Sequence, residues 1–535
     1  MAVRTNTGRG QSRRAVTGAT AAATDSEGPG APDWRLDLTT AILCGLVLLL
    51  PLMVGRRSAE SIAMATLVLV AGSAVVAVLA LLPGRRSGAC LPWPSRGWWW
   101  FGGLFTATIV LQVLPSATLA HWFGPYPQVM LDSPVLAPGH WSPNPSATLL
   151  GWAGFVGLFV LAWVAGQLNR SRRMWLWLAL LAAVLFQVLY GLIAQGLGAS
   201  TVFGIWERAH SGFVQGSFSN RNLYAGYLAA LWPLAAAIWW WPGVPFLSRV
   251  PLPVRFAGSL LTAAAVGVAV VATASRLGAV AGMVGIMVWL LLWRRQRGGW
   301  HGAARWLLYP GAAVVGLIMI WYGLTPLAER LVVTSAEESR LLIYQTMITD
   351  MPAAWWLPGV GLGGVEAAVR QVQPADVRGW YDHAHSDLLQ WLLEMGVVGA
   401  VLLLAVVVAV LRSGLQRSEQ PALYAGLAAL CVVGLGDFSW HMPATQLVVA
   451  LYLGTLLAGR QRRGGEDVPV ATGRTAPAAP GRDQLPSGNA GSDREHPARP
   501  RLRAITRPAL PSQPSPDRRQ GNRHGSSEPG ARGRR

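Results

Sequence analysis

Two histidines stand where a polar stretch of the chain runs into an apolar helix. His383 and His385 lie in the sequence YDHAHSDLLQWLLEMGVVG, and Asp382, Ser386 and Asp387 are each able to cap the helix that follows. A histidine at a helix N-terminus faces the positive end of the helix dipole, which disfavours its protonated form and suits a general base. The exposed N–H groups of the same helix end can bind an anion. From its position alone, His385 is equally well explained as a polar residue at a membrane surface.

The elements that must position these histidines are long apolar segments. Hydrophobic residues make up 52% of the 535 residues and charged residues 13%, whereas soluble proteins carry about twice that charged fraction. Runs of roughly 16–24 apolar residues, the length needed to cross a bilayer, lie at about 37–55, 60–82, 97–115, 147–168, 174–195, 222–241, 256–274, 277–293, 306–324, 388–411, 421–437 and 442–459. The sequence therefore predicts an all-α polytopic membrane protein with about twelve transmembrane helices.

The net charge of +19 does not indicate nucleic-acid binding, because much of it lies in the C-terminal tail and in short connections between predicted spans. With the N-terminus in the cytoplasm and alternating spans, most arginine clusters fall on the cytoplasmic side, as the positive-inside rule requires. The pair Arg56–Arg57 is the exception. Both termini are predicted to be cytoplasmic, and the histidines lie on the outer face.

Three parts of the chain differ in composition. Residues 1–35 are polar and are predicted to be a disordered cytoplasmic N-terminus, 36–459 form the transmembrane domain, and 460–535 form a disordered basic cytoplasmic tail. The tail either touches anionic lipid headgroups or is dispensable. A large outer loop at about 325–387 is predicted to contain short helices and a glycine-rich turn, Gly359–Gly364. The three cysteines suggest neither a disulfide framework nor a metal site.

Arginines on the predicted outer face are the second candidate group. Arg221 precedes a span, Arg276 lies in a short turn between two spans, and Arg340 lies in the large outer loop. A cation kept beside hydrocarbon usually has an anionic partner. Arginine suits phosphate because its planar fork donates two hydrogen bonds and stays charged. For any one of these residues, reaching towards water or pairing with a loop carboxylate is an equally good explanation.

Three motifs give the chain a resemblance to the O-antigen ligase family, which includes O-antigen polymerases and protein O-oligosaccharyltransferases. Gly216–Asn222, read GSFSNRN, resembles the family's GTFxNxN segment, and Ser275–Gly278 is similar to its SRG turn. His385 and Ser386, followed after nine residues by Gly396, fit its histidine motif. Ser217 and Ser386 replace the commoner Thr and Asn, and both keep a hydrogen-bonding side chain. The resemblance covers roughly residues 200–405.

The resemblance implies a glycosyltransferase or ligase of the bacterial inner membrane. It would transfer a glycan from undecaprenyl pyrophosphate to an acceptor hydroxyl at the periplasmic face, without metal, ATP or another cofactor. The acceptor would be lipid A-core or another glycan or protein, and membrane lipids would be further partners. By motif, His385 would be the base and Arg221, Arg276 and Arg340 would bind the donor pyrophosphate. Residues of second rank are His383, Asn220, Asn222 and Ser386.

Two other functions remain open at this stage. An O-antigen or exopolysaccharide polymerase would use the same donor chemistry with another lipid-linked unit as acceptor. A transporter or flippase would favour charged residues near mid-membrane, internal repeats and broken helices. No convincing repeat is evident, although Asp437 and His441, near the last outer turn, would suit a transporter.

Overall fold

Helices make up most of the part of the chain that the structure describes. The computed structural model describes residues 33–55, 59–83, 91–123, 139–208, 212–241, 244, 247–296, 335–373, 383–415 and 417–458. The helices are α1 (Trp34–Met53), α2 (Ala59–Leu81), α3 (Arg96–Val113), α4 (Ser116–Phe123), α5 (Pro145–Gln167), α6 (Arg170–Gly196), α7 (Arg221–Ala237), α8 (Leu252–Ala272), α9 (Arg276–Gln296), α10 (Ser335–Thr349), α11 (Val365–Val372), α12 (Asp387–Leu411), α13 (Gln420–Val433) and α14 (Pro443–Leu457). Strands β1 (Thr201–Val202) and β2 (Trp206–Glu207) form one antiparallel hairpin.

The expectation of an all-α membrane protein is confirmed. Eight of the described helices are long and apolar enough to cross a bilayer, namely α1, α2, α5, α6, α7, α8, α9 and α12. The apolar helices α13 and α14 are shorter. The predicted span at 306–324, the pair Arg56–Arg57 and both terminal segments lie outside the described residues. The full count of about twelve spans therefore stays a prediction.

The contacts that join the helix ends lie at two opposite ends of the bundle. At one end, which we call the motif end, the Ser219 N–H donates to Val54 O after α1, and Arg221 of α7 donates to Thr273 O after α8. The Asp387 N–H at the start of α12 donates to Asp437 O after α13. All three sequence motifs therefore lie at this end of the bundle.

The opposite end carries two of the described ion pairs between distant segments. Arg172 of α6 pairs with Asp37 of α1 at 2.9 Å, and Arg173 pairs with Glu419 at 3.4 Å. Arg172 and Arg173 belong to a cluster that the sequence assigns to the cytoplasmic side. Their position opposite the motif end agrees with the relative orientation that the arginine pattern predicts.

Helix α7 is the centre of the bundle, with 94% of its apolar window buried. Small residues on its neighbours let them approach closely. A Cβ added at Gly278 of α9 would lie 2.5 Å from Ala225 Cβ, and one at Gly426 of α13 would collide with the carbonyl oxygen of Ala230. The N-terminus of α7, which carries Arg221, is therefore held by packing on several sides.

Helix α12 is kinked, and the glycine-rich turn packs against the kink. Gly396 has non-helical backbone angles, with φ of +61° and ψ of −155°. The N–H groups of Val360 and Gly361 donate to the carbonyls of Leu393 and Glu394, so the turn supplies hydrogen bonds where the helix is interrupted. A Cβ at Gly396 would collide with the carbonyl oxygen of Leu357. The glycine of the histidine motif is therefore required by close backbone packing.

Candidate functional site

Two of the three motifs meet at the turn between α8 and α9. Arg221 is 8% exposed, and its Nη1 donates to Thr273 O at 3.2 Å. The guanidinium also lies over the ring of Phe213 at 4.2 Å. Arg276, half-buried, begins α9 directly after this turn, where Ser275 Oγ accepts the Gly278 N–H. Arg221 at the start of α7 and Arg276 at the start of α9 thus lie at the same turn of the motif end.

Strained backbone marks two of the motifs. Among the described residues, three non-glycine residues have a left-handed φ, and two of them are Ala274 at +51° and His385 at +50°. Ala274 precedes the Ser275–Arg276 pair. Such conformations cost about 1–3 kcal/mol and persist where the surroundings enforce them, which is common in functional sites.

His385 is fixed at the start of α12. Ser386 is the N-cap, and its hydroxyl accepts the Leu389 N–H at 3.4 Å and donates to Gly434 O at 3.2 Å. The Tyr344 hydroxyl of α10 donates to His385 O at 2.6 Å. The His385 ring meets Phe438 edge-on with 5.3 Å between centroids. The imidazole therefore lies at a helix N-terminus, as the sequence predicts.

The turn at residues 434–442, between α13 and α14, contacts all three motif regions. Phe438 touches His385 and also stacks on His383, with 4.3 Å between centroids. A Cβ at Gly436 would lie 3.3 Å from Leu277 Cδ2, next to Arg276. Gly226 of α7 is so close to Ser439 that a Cβ there would collide with the hydroxyl. Segments far apart in sequence therefore converge on this turn.

A buried polar cluster lies beside the histidines, and the sequence interpretation missed it as a unit. Asp387 is fully buried and accepts a 2.7 Å hydrogen bond from His441 Nδ1. Glu394 is 2% exposed, and its Oε1 accepts from Gln390 Nε2 at 3.0 Å and from the Gly363 N–H at 3.1 Å. The second oxygen of Glu394 lies 3.6 Å from His441 Nε2. We call Asp387, Gln390, Glu394 and His441 the acidic cluster.

His441 carries the positive charge of this cluster. Burial alone would lower the pKa of His441, yet the hydrogen bond to Asp387 and charge pairing with Asp387 and Glu394 raise that pKa to about 10. The cluster thus contains two carboxyl groups, those of Asp387 and Glu394, on either side of one imidazole. Asp387, Gln390 and Glu394 recur at helical spacing in an otherwise apolar helix, and this polar stripe is the sequence signal that could have identified the cluster.

A cavity of about 2310 Å³ joins the acidic cluster to the GSFSNRN motif. His383, Asp387 and Glu394 line it near the start of α12, and Ser219 and Asn220 line it beside α7. The rest of the lining is mostly apolar. His383, ranked second from the sequence, therefore faces the cavity together with the carboxylates.

Two further residues predicted from the sequence, Asn220 and Arg340, lie at or within helices. Asn220 is the N-cap of α7, and its side chain accepts the Asn222 N–H at 2.8 Å. Arg340 belongs to α10, but its side chain lies outside the described part of the structure. In the described segments no group of three or more His, Cys, Asp or Glu side chains is arranged to hold a metal ion. The roles of these residues as base and anion ligands stay predictions.

One family model matches part of the chain. Residues 260–404 match the family model described as O-antigen ligase, a little over a quarter of the chain. No curated protein and no solved structure matches. The matched segment runs from α8 into α12 and contains Arg276 and His385, whereas Arg221 precedes it. The match supports a membrane enzyme that transfers glycans, of the ligase or polymerase type. Residues 260–404 therefore carry the signature of the O-antigen ligase family, and the match confirms the resemblance over a segment that contains two of the three motifs, the Ser275–Gly278 turn and the histidine motif.

Proposed function

We propose that the protein transfers a glycan from undecaprenyl pyrophosphate to an acceptor hydroxyl at the outer face of the bacterial inner membrane. The observation that carries the proposal is the convergence of Arg221, Arg276 and His385 on connected turns of the motif end, within or next to the family match. Arginines and a histidine at helix N-termini suit an anionic donor and a general base respectively.

The chemistry needs few groups. The acceptor oxygen attacks the anomeric carbon of the donor sugar, and the bond from that carbon to the pyrophosphate oxygen breaks. His385 takes the proton of the acceptor hydroxyl, and the lipid pyrophosphate leaves with the electron pair. Arg221 and Arg276, joined by Arg340, stabilise the negative charge that grows on the leaving group. The energy comes from the donor, so the proposed reaction consumes no ATP.

The test of this proposal is His385→Ala. Loss of the base should reduce glycan transfer at least about a hundredfold, while the protein still inserts and accumulates. His121→Ala is the matched control, because His121 is an exposed histidine of α4. Normal surface polysaccharide in the His385→Ala strain would refute the proposal.

A polymerase remains the nearest alternative, because it needs the same donor site. Deleting the protein separates the two activities. Long polymer left on its lipid carrier would indicate a ligase, and single repeat units would indicate a polymerase. A transporter is favoured by one observation, the buried carboxylate and histidine groups along a long cavity. It predicts that His385→Ala leaves an unmodified lipid-linked glycan trapped inside, instead of untransferred outside.

A further inference from the structure

The cavity beside α12 has the shape and lining of a site for an amphipathic molecule. Residues on both sides of the kink in α12 line it, from Asp387 to Glu394 and from Leu402 to Leu411. Along most of this length the lining is apolar, with residues such as Phe155 of α5 and Val406 of α12. Its motif end is polar. A ligand with a long hydrocarbon chain and a hydroxyl-rich head matches this distribution.

The polar end of the cavity favours some ligand head groups over others. Asp387 and Glu394 are both buried and share the single imidazole of His441. A pyrophosphate placed beside two carboxyl groups in a poorly solvated environment would be disfavoured. The proposed pyrophosphate ligands Arg221 and Arg276 are not among the residues that line this cavity. The donor head group and the acidic cluster therefore belong to different halves of the site.

Glu394 has the capacity to bind a sugar. One of its oxygens accepts two hydrogen bonds, whereas its other oxygen has His441 Nε2 at 3.6 Å, beyond a normal hydrogen bond. A hydroxyl or ammonium group of a ligand would donate to this oxygen, and a hydrogen bond to an ionised acceptor is strong. Trp391 and Trp440 also line the cavity here and offer apolar ring surfaces for a sugar.

We propose that the space between His383, Glu394 and His441 is the acceptor subsite, and that it selects an uncharged or amino-bearing sugar over one that carries a carboxylate or phosphate. This inference rests on the proposed function, because it assigns the acceptor half of the same site. In this arrangement Phe438 lies where the two halves meet, in contact with His383 of the subsite and with His385, the proposed base. It stacks on His383 on the cavity side and meets His385 with its edge.

The test is a binding series without donor. The full-length protein in lipid nanodiscs is titrated with three octyl glycosides that differ only in charge: the glucosaminide, the glucoside and the glucuronide. Fluorescence of the cavity tryptophans reports binding. The glucosaminide is expected to bind at least about tenfold more tightly than the glucuronide, with the glucoside between them, and the difference should shrink as salt increases.

Variants assign the selectivity to one carboxylate. Glu394→Gln keeps the shape of the side chain and removes its charge, so the ratio between glucosaminide and glucuronide should fall below about threefold. Glu60→Gln, at an exposed position of α2, should keep the full ratio. Equal or tighter binding of the glucuronide to the unmodified protein would overturn the proposal, and so would an unchanged ratio in a folded Glu394→Gln protein. If that variant fails to fold, the series on the unmodified protein still decides.

The same series separates this inference from the proposed function. Binding is measured without donor and without turnover, so loss of transfer in His385→Ala has no bearing on it. Charge-selective binding in a protein that transfers no glycan would retain the subsite and reject the reaction. If glycan transfer depends on His385 but binding shows no charge selectivity, the reaction is retained and the subsite is rejected.

Discussion

Helices α7 and α12 both begin at the motif end with a candidate functional residue, yet they are built in opposite ways. Of the apolar window of α7, 94% is buried, whereas the corresponding value for α12 is 33%. Helix α7 is surrounded by α8, α9 and α13, and it holds Arg221 against the α8–α9 turn. Helix α12 is kinked at Gly396 and lines a cavity on both sides of the kink.

On the proposed function, close packing around α7 would hold Arg221 in the fixed position that an anion ligand needs, and the cavity beside α12 would admit successive acceptors. The glycines of the two regions serve these purposes differently, because those around α7 allow helices to pack and those of α12 and its partner turn allow a bend.

The largest expected effect comes from Gly396→Ala. The new Cβ would collide with the carbonyl oxygen of Leu357, and alanine would have to adopt a φ of +61°. We expect a loss of about 3 kcal/mol or more in the free energy of unfolding, measured by thermal unfolding, together with loss of transfer. Gly414→Ala is the matched control, because it has a φ of +75° with no atom nearby. It should cost only about 1 kcal/mol, and an equal loss in both variants would mean that backbone conformation alone is responsible.

Packing around α7 is tested by Gly426→Ala in α13. Its Cβ would collide with the Ala230 carbonyl of α7, and we expect a loss of about 1–3 kcal/mol in the free energy of unfolding. Gly45→Ala in α1 meets no atom within 4 Å and should be neutral or slightly stabilising. If the two variants melt at the same temperature, α7 is not the tightly packed centre described here.

A smaller and purely functional effect is expected for Arg221→Lys and Arg276→Lys. Lysine keeps the charge and loses the forked contact, so transfer should fall by about tenfold or more without a change in melting temperature. Arg172→Lys, at the opposite end of the bundle, should leave transfer unchanged. Full activity in both motif variants would favour the simpler explanation, in which these arginines reach towards the membrane surface.

The smallest effect concerns pH and the acidic cluster. The pKa of His441 is raised from its ordinary value of 6.5 to about 10 in the folded protein by Asp387 and Glu394. The stabilisation from its charged form is therefore complete below pH 6.5 and is lost as the pH rises through about 10. The melting temperature of the unmodified protein should exceed that of His441→Gln most at low pH. A difference in melting temperature between the two proteins that widens as the pH rises would contradict the pairing of His441 with Asp387 and Glu394.

Helices were predictable from the sequence, and the contacts between them were not. Each predicted apolar run within the described residues coincides with a helix, because about twenty consecutive apolar residues have few alternatives in a membrane. The N-cap at Ser386 and the helix at Ser335–Thr349 follow from local patterns. The hairpin of β1 and β2 and the short helix α4 were missed, because two to eight residues carry too little pattern.

The candidate site was predictable to the extent that local motifs describe it. His385, Arg221 and Arg276 stand out by residue type beside an apolar run. The acidic cluster was not recognised, because His441 meets Asp387 only through the fold, 54 residues along the chain. The requirement for glycine at position 396 also depends on a distant partner, the turn at Leu357.

A cryo-electron microscopy structure with undecaprenyl pyrophosphate bound would test the proposed donor site directly. We expect pyrophosphate density within hydrogen-bonding distance of the guanidinium groups of Arg221 and Arg276, with the His385 imidazole facing the same space. Pyrophosphate against Asp387 and Glu394, or at the opposite end of the bundle, would contradict it.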